Sequence, residues 1–166
     1  MPVLVSDTSV VLDLERGGLL EHVFGLPHEF AVPDLLYERE LAGDLGDRLL
    51  ALGLRIESLT GAEVAAAAGV ARAERALSGP DTFAFALAQS RAWILLTGDG
   101  ALRRLSEGQG IKTHGVLWVL DQLEEAAALP LPELGAGLSA MSGHPRCRLP
   151  RPEVARRLAR YGFGGS

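Results

Sequence analysis

The chain has 166 residues, nearly half of them apolar, a formal net charge of −5 and one cysteine, Cys147. That length supports one domain with a substantial core but not two comfortable ones, and a lone cysteine excludes an internal disulfide framework or a multi-cysteine zinc site. No apolar run is long enough to span a membrane, and no basic stretch leads into an apolar one at the N-terminus, so a cytoplasmic protein with no membrane partner is expected.

Residues 2–6 read as a buried strand, and Thr8 or Ser9 can cap the helix that follows, through about Leu20. Residues 28–32 predict a second strand, stopped by Pro33. Asp34 then caps a helix carrying Leu35, Leu36 and Leu41, which Gly43 closes. Residues 45–52 predict a helix, and residues 54–59 alternate as a strand does. Thr60-Gly61-Ala62-Glu63 is a capping box opening an alanine-rich helix to about Leu77. Pro80 and Asp81 start another helix, residues 93–97 form a buried strand, and residues 101–107 a short helix. A brief strand over 111–113 and an amphipathic helix over 115–127 follow. Strands alternating with helices imply an α/β fold with a parallel sheet covered on both faces.

Beyond residue 128 the texture changes. Pro130, Pro132, Pro145, Pro150 and Pro152 punctuate two helical stretches, near 133–141 and 152–161. The expected organisation is a sheet domain over residues 1–128, with a helical, arginine-rich C-terminal extension over 129–166 packed on it. Residues 144–166 hold six arginines against one acid, Glu153, whereas residues 1–143 hold 20 acids against 10 basic residues. Lys112 is the only lysine. Arginine forks suit phosphate, but an acidic body argues against non-specific coating of DNA.

Two apolar strands each end in an acid on a small-residue turn: Val3-Leu4-Val5-Ser6-Asp7-Thr8-Ser9 and Ile94-Leu95-Leu96-Thr97-Gly98-Asp99-Gly100. The carboxyl ends of strands line the ligand crevice of an open α/β sheet, and acids gathered there repel unless a cation neutralises them. Asp81, at a helix start, and Glu38 or Glu40, on the helix after the second strand, offer further carboxylates. Each also has a plainer reading: Asp81 as a helix cap, the two glutamates as solvated surface charges.

These runs resemble the motifs of PIN-domain nucleases. Val5-Ser6-Asp7-Thr8-Ser9 resembles the opening motif, and Val32-Pro33-Asp34-Leu35-Leu36-Tyr37-Glu38 the helix bearing the second acid. Ser78-Gly79-Pro80-Asp81, running into residues 83–88, resembles the third motif, residues 95–102 the fourth, and residues 115–121 the closing helix. The likeness covers about residues 2–128 and keeps the motifs in order. It implies a three-layer α/β/α, flavodoxin-like fold and a metal-dependent endoribonuclease using Mg²⁺ or Mn²⁺. RNA phosphodiester bonds would be hydrolysed by metal-activated water, without a covalent intermediate. Carried over by position, Asp7, Asp81 and Asp99 match family acids. Glu38, with the expected Leu35 and Leu36 before it, is taken as the second acid, and Glu40, with the expected Leu41 after it, stays open as the alternative. Thr8, Ser9 and Thr97 would hold waters or orient carboxylates, and Arg103 and Arg104 follow Asp99 closely enough to reach an RNA backbone. Kinship with VapC-type toxins implies a small antitoxin partner and a homodimer.

The remaining chemistry-bearing residues read as structural. His22, His28, His114 and His144 are scattered, Cys147 is a surface thiol, and Trp93 and Trp118 belong to apolar runs. Two rival functions are a catalytically silent PIN-fold scaffold or RNA-binding module, and a haloacid dehalogenase-type phosphatase. The phosphatase needs a second aspartate where Ser9 stands, and a lysine between the two acidic loops, whereas Lys112 follows both.

Overall fold

A computed structural model describes residues 2–163. The chain forms two compact units, Met1–Val10 with Pro27–Gly115, and Val11–Leu26 with Val116–Ser166.

The first unit holds the sheet. Its strands are β1 (Val3–Ser6), β2 (Glu29–Pro33), β3 (Arg55–Glu57), β4 (Ile94–Leu96) and β5 (Thr113–His114), all parallel, in the order β3-β2-β1-β4-β5. Leu4 lies between Phe30 and Ile94, and Ser6 pairs with Leu96. Helices α1 (Thr8–Arg16) and α2 (Leu20–Phe24) precede β2; α3 (Asp34–Leu36), a π-helical turn (Tyr37–Leu41) and α4 (Asp44–Leu52) precede β3. Helices α5 (Gly61–Ala73) and α6 (Gly79–Arg91) lead to β4, and α7 (Gly100–Gly108) to β5.

The chain runs outward from β1 to β3, then returns to the other side of β1 for β4 and β5. Right-handed crossovers in opposite directions place α4 on one face of the sheet and α5 to α7 on the other. The result is a three-layer α/β/α fold. Val5 and Leu95 of the strands pack with Phe85, Leu87 and Ala88 of α6 and Leu102 of α7 in one buried cluster. A crossover helix runs back along the strands it joins. The N-termini of α3, α6 and α7 therefore return to the sheet edge where the strands' carboxyl ends lie.

Three local features differ from the periodicity. The first helix stops at Arg16 because Gly17 and Gly18, the latter at φ 66°, turn the chain before a separate short α2. The alanine-rich helix ends at Ala73, and Leu77 turns back to bury its side chain in the core. The helix after β2 is mostly π-helical: Ala42 N–H reaches Tyr37 C=O, five residues back. Buried Tyr37 lies against Gly46 of α4, where a methyl group would stand 2.7 Å from the phenol oxygen.

In the second unit, α8 (Val116–Glu125), α9 (Leu131–Ser142) and α10 (Arg151–Arg160) join α2 and the end of α1. Backbones meet closely at Gly17 and Gly137, where a methyl on Gly17 would stand 2.9 Å from Gly137 C=O. Arg157 forms a two-pronged pair with Asp121 at 2.8 and 2.7 Å, and Arg160 pairs with Glu124 and Asp121. Two of the six tail arginines thus fasten α10 to α8. Cys147 is half-buried, and burial together with Asp13 pushes its thiol up to about 11, so it is inert as a nucleophile near neutrality.

A charged knot braces the first unit. Arg91 contacts Glu57 at 2.9 Å and Glu63 at 3.2 Å, while Arg55 bridges Glu29 and Glu57, and both guanidinium groups lie 5.1–5.3 Å from the Trp93 ring centre. Glu63 also completes the predicted capping box with Thr60. The Arg91 bond, then the Thr60 N–H, bring the buried Glu63 carboxyl down to about 2 from an ordinary 4.5. Its ionised form favours the folded state above about pH 4.5, and that contribution disappears as pH falls toward 2. Glu63→Gln is expected to cost about 2 kcal/mol at pH 7 and progressively less below pH 4.5, read from urea unfolding at a series of pH values.

Candidate metal centre

Asp7 follows β1 directly and is 2 % exposed. Its Oδ1 accepts hydrogen bonds from Ser9 Oγ and Val10 N–H, both at 2.9 Å. Its Oδ2 accepts from Thr97 Oγ1 at 2.6 Å and Gly98 N–H at 3.1 Å. All four donors are neutral, so none of these bonds brings a cation to offset the charge. Burial pushes the carboxyl above its usual range, and the four donors pull back against that shift, Thr97 most of all. The turn at Gly98 fits tightly here: a methyl would stand 2.9 Å from Ser9 Oγ.

The second acid is tied to the first through Thr97. The Thr97 hydroxyl donates to Asp7 and accepts from Asp99 N–H at 3.0 Å. Asp99 caps α7, its Oδ1 accepting from Ala101 N–H at 2.7 Å and Leu102 N–H at 3.0 Å. Its Oδ2 takes part in none of these bonds. The structure therefore brings together Asp7, Ser9, Thr97 and Asp99, beside the β1–β4 boundary where strand order reverses. Such a switch point is where open α/β sheets bind ligands.

Asp81 occupies the third position of α6 in a reciprocal capping box with Ser78, using one carboxylate oxygen. Glu38 and Glu40 are both exposed on the π-helical turn. That turn and α3 lie against the start of α6, with Leu35 and Arg39 packed over Gly79. All five acids thus belong to elements that begin at the carboxyl edge of β2, β1 and β4. Among the described residues, however, no three His, Cys, Asp or Glu side chains stand close enough to enclose an ion.

The residues fit a hard divalent cation by chemistry. The donors are carboxylate oxygens, the ligands Mg²⁺ and Mn²⁺ take, and the buried charge of Asp7 has no cationic partner among its bonds. Thr8 Oγ1, next in sequence, is buried with no hydrogen-bond partner among the described residues, a position suited to a water in an ion's hydration shell.

A family model described as a PIN domain matches residues 3–162. The chain belongs to the PIN-domain family. PIN domains are typically metal-dependent nucleases, so nucleic acid is the substrate class this membership points to. The match extends through the C-terminal helices as well as the sheet. Comparison with curated proteins finds no match. No helix among the described residues is long and apolar enough to cross a membrane.

Sequence periodicity did not reveal that Arg103 and Arg104 differ. Arg103 donates to Thr97 C=O at 3.4 Å, lies 3.8 Å from Glu107 and packs against Gly115, where a methyl would come within 2.6 Å of Nη2. It braces the β4 turn. Arg104 is exposed and makes no hydrogen bond or ion pair among the described residues.

Because Asp7 satisfies four donors, its removal orphans a buried network. Asp7→Ala is expected to lower stability by about 2–4 kcal/mol, and Asp7→Asn by about 1–2, both measured by urea unfolding. Asp99→Asn is expected to change stability by less than about 0.5 kcal/mol, since asparagine caps a helix as well and keeps the oxygen that accepts both N–H groups.

Proposed function

We propose that the carboxyl edge of β1, β2 and β4 is the active site of a metal-dependent endoribonuclease. The observation that carries this reading is the Asp7–Thr97–Asp99 linkage, which holds two acids at the switch point of a PIN fold, the buried one with only neutral donors among its described partners. Asp7, Asp81, Asp99 and either Glu38 or Glu40 would hold Mg²⁺ or Mn²⁺, with Thr8, Ser9 and Thr97 orienting carboxylates and waters. When bound, such an ion neutralises phosphate charge and lowers the pKa of water.

The chain's own residues do the rest. Thr97 and Gly98 N–H keep Asp7 fixed, so the carboxylates need little reorganisation when substrate arrives. Asp99 and Asp81 cap helices with one oxygen each, leaving the other outside the cap. The reaction is hydrolysis of an RNA phosphodiester by water, without a covalent intermediate. On the same reading, residues 1–128 carry the nuclease and residues 129–166 form a helical extension. Likeness to VapC-type toxins supports a homodimer held in check by a small antitoxin.

One observation favours a non-catalytic scaffold instead: no three acids enclose an ion among the described residues. Two measurements separate the readings. Saturating Mn²⁺ is expected to raise the melting temperature of the wild type, because a ligand that prefers the folded state stabilises it. Asp99→Asn and Asp81→Asn, which preserve the caps, are expected to lower Mn²⁺-dependent RNA cleavage at least about 100-fold with little change in melting without metal. Full cleavage by either variant would remove that acid from the site, and absence of both cleavage and a metal-induced shift in the wild type would favour the scaffold.

A further inference from the structure

We infer that Arg39 and Arg104 are the two side chains that grip the phosphate backbone of the substrate beside the acidic edge, while Arg103 is a brace. The inference rests on the proposed nuclease site and names the residues that would seat its substrate.

The two arginines stand in equivalent places. The Arg39 guanidinium crosses Gly79, the first residue of α6, so closely that a methyl there would stand 3.3 Å from Nη1. The Arg104 guanidinium crosses Gly100, the first residue of α7, where the corresponding distance is 3.2 Å. Each glycine lies within two residues of a proposed site acid, Asp81 in one case and Asp99 in the other. Neither guanidinium pairs with that acid, or forms any other hydrogen bond or ion pair among the described residues. Both side chains are exposed.

Their neighbours in the same unit are differently placed. Arg72 and Arg75, at the end of α5 and just beyond it, are also exposed and unpaired among the described residues, but neither crosses a helix start that carries a proposed site acid. Arg55 and Arg91 are held by Glu29, Glu57 and Glu63, and Arg103 by Thr97 C=O and Glu107. A guanidinium already ringed by carboxylates has little to offer a phosphate, whereas an unpaired one keeps all five donors. An acidic edge also needs compensation. Without cations at its rim, the phosphates of an approaching strand would be repelled by the carboxylates that process them. Arg39 and Arg104, one near each of two acids, supply positive charge without cancelling either acid. Because their contacts are to phosphate, they would position RNA without reading its bases.

The test uses the full chain carrying Asp99→Asn, so that RNA is bound in Mn²⁺ without being cut, and a fluorescein-labelled single-stranded RNA followed by anisotropy over a salt series. Adding Arg39→Ala or Arg104→Ala is expected to weaken binding about 5- to 10-fold each, and to flatten the slope of log affinity against log salt by about 0.7 per arginine. Arg103→Ala is expected to leave that slope unchanged while lowering the melting temperature. In the otherwise wild-type chain, the Arg39→Ala/Arg104→Ala pair should raise KM for RNA cleavage with kcat largely retained. Parental affinity and slope in the double variant would overturn the inference, as would the same loss from Arg103→Ala. If Asp99→Asn cleaves RNA like the wild type, the nuclease assignment of Asp99 fails. If it is inactive but the arginine variants bind and cleave with unchanged salt slope and KM, only the present inference fails.

Discussion

A single buried carboxylate organises the sheet-bearing unit of this molecule. Asp7 ends β1, starts α1 and accepts hydrogen bonds from the turn after β4, so three backbone segments converge on two oxygen atoms. Burying that charge is costly, and four neutral donors lower the cost without eliminating it, which is why the carboxyl remains above its ordinary range. The geometry of the Gly98 turn, the direction of Asp99 and the seating of α7 all follow from how that anion is satisfied. A divalent cation complements such a group better than another hydrogen bond would.

The structural and functional readings of Asp81 and Asp99 are compatible. Each is a helix cap, and each performs that role through one oxygen. A carboxylate fixed at one corner by backbone N–H groups is a better-positioned ligand than one on a free side chain, because its rotamer is already selected. The glutamates differ. Glu38 and Glu40 project from an exposed π-helical turn, so the edge carries two anchored acids near the switch point and a less constrained contribution from the β2 side.

Arginine, nearly the only basic residue type in the chain, divides by what surrounds it. Those at Glu57 and Glu63, and at Asp121 and Glu124, are absorbed into ion pairs that join elements within a unit. A run of positive charge in the C-terminal sequence therefore overstates the charge available to a partner, since Arg157 and Arg160 answer the acids of α8. The arginines beside the acidic edge are sparser, and their place distinguishes them: each guanidinium crosses the first residue of a helix next to a proposed site acid.

The amino-acid sequence alone determined the order of strands and helices, the parallel sheet, the capping box at Thr60, the helix start at Asp81, and the acids at the ends of β1 and β4. These depend on local periodicity and on capping chemistry that operates within a few residues. Tertiary structure decided what spacing cannot encode. It set the β3-β2-β1-β4-β5 order that makes the β1–β4 boundary a switch point, and it let Thr97 bridge Asp7 and Asp99 across ninety residues of chain. It replaced a regular helix after β2 with a π-helical turn packed on Gly46. It also separated Arg103 from Arg104, adjacent residues that helical geometry points in different directions. Whether a charge is paired or free depends on neighbours distant in sequence, so only the folded chain could assign it.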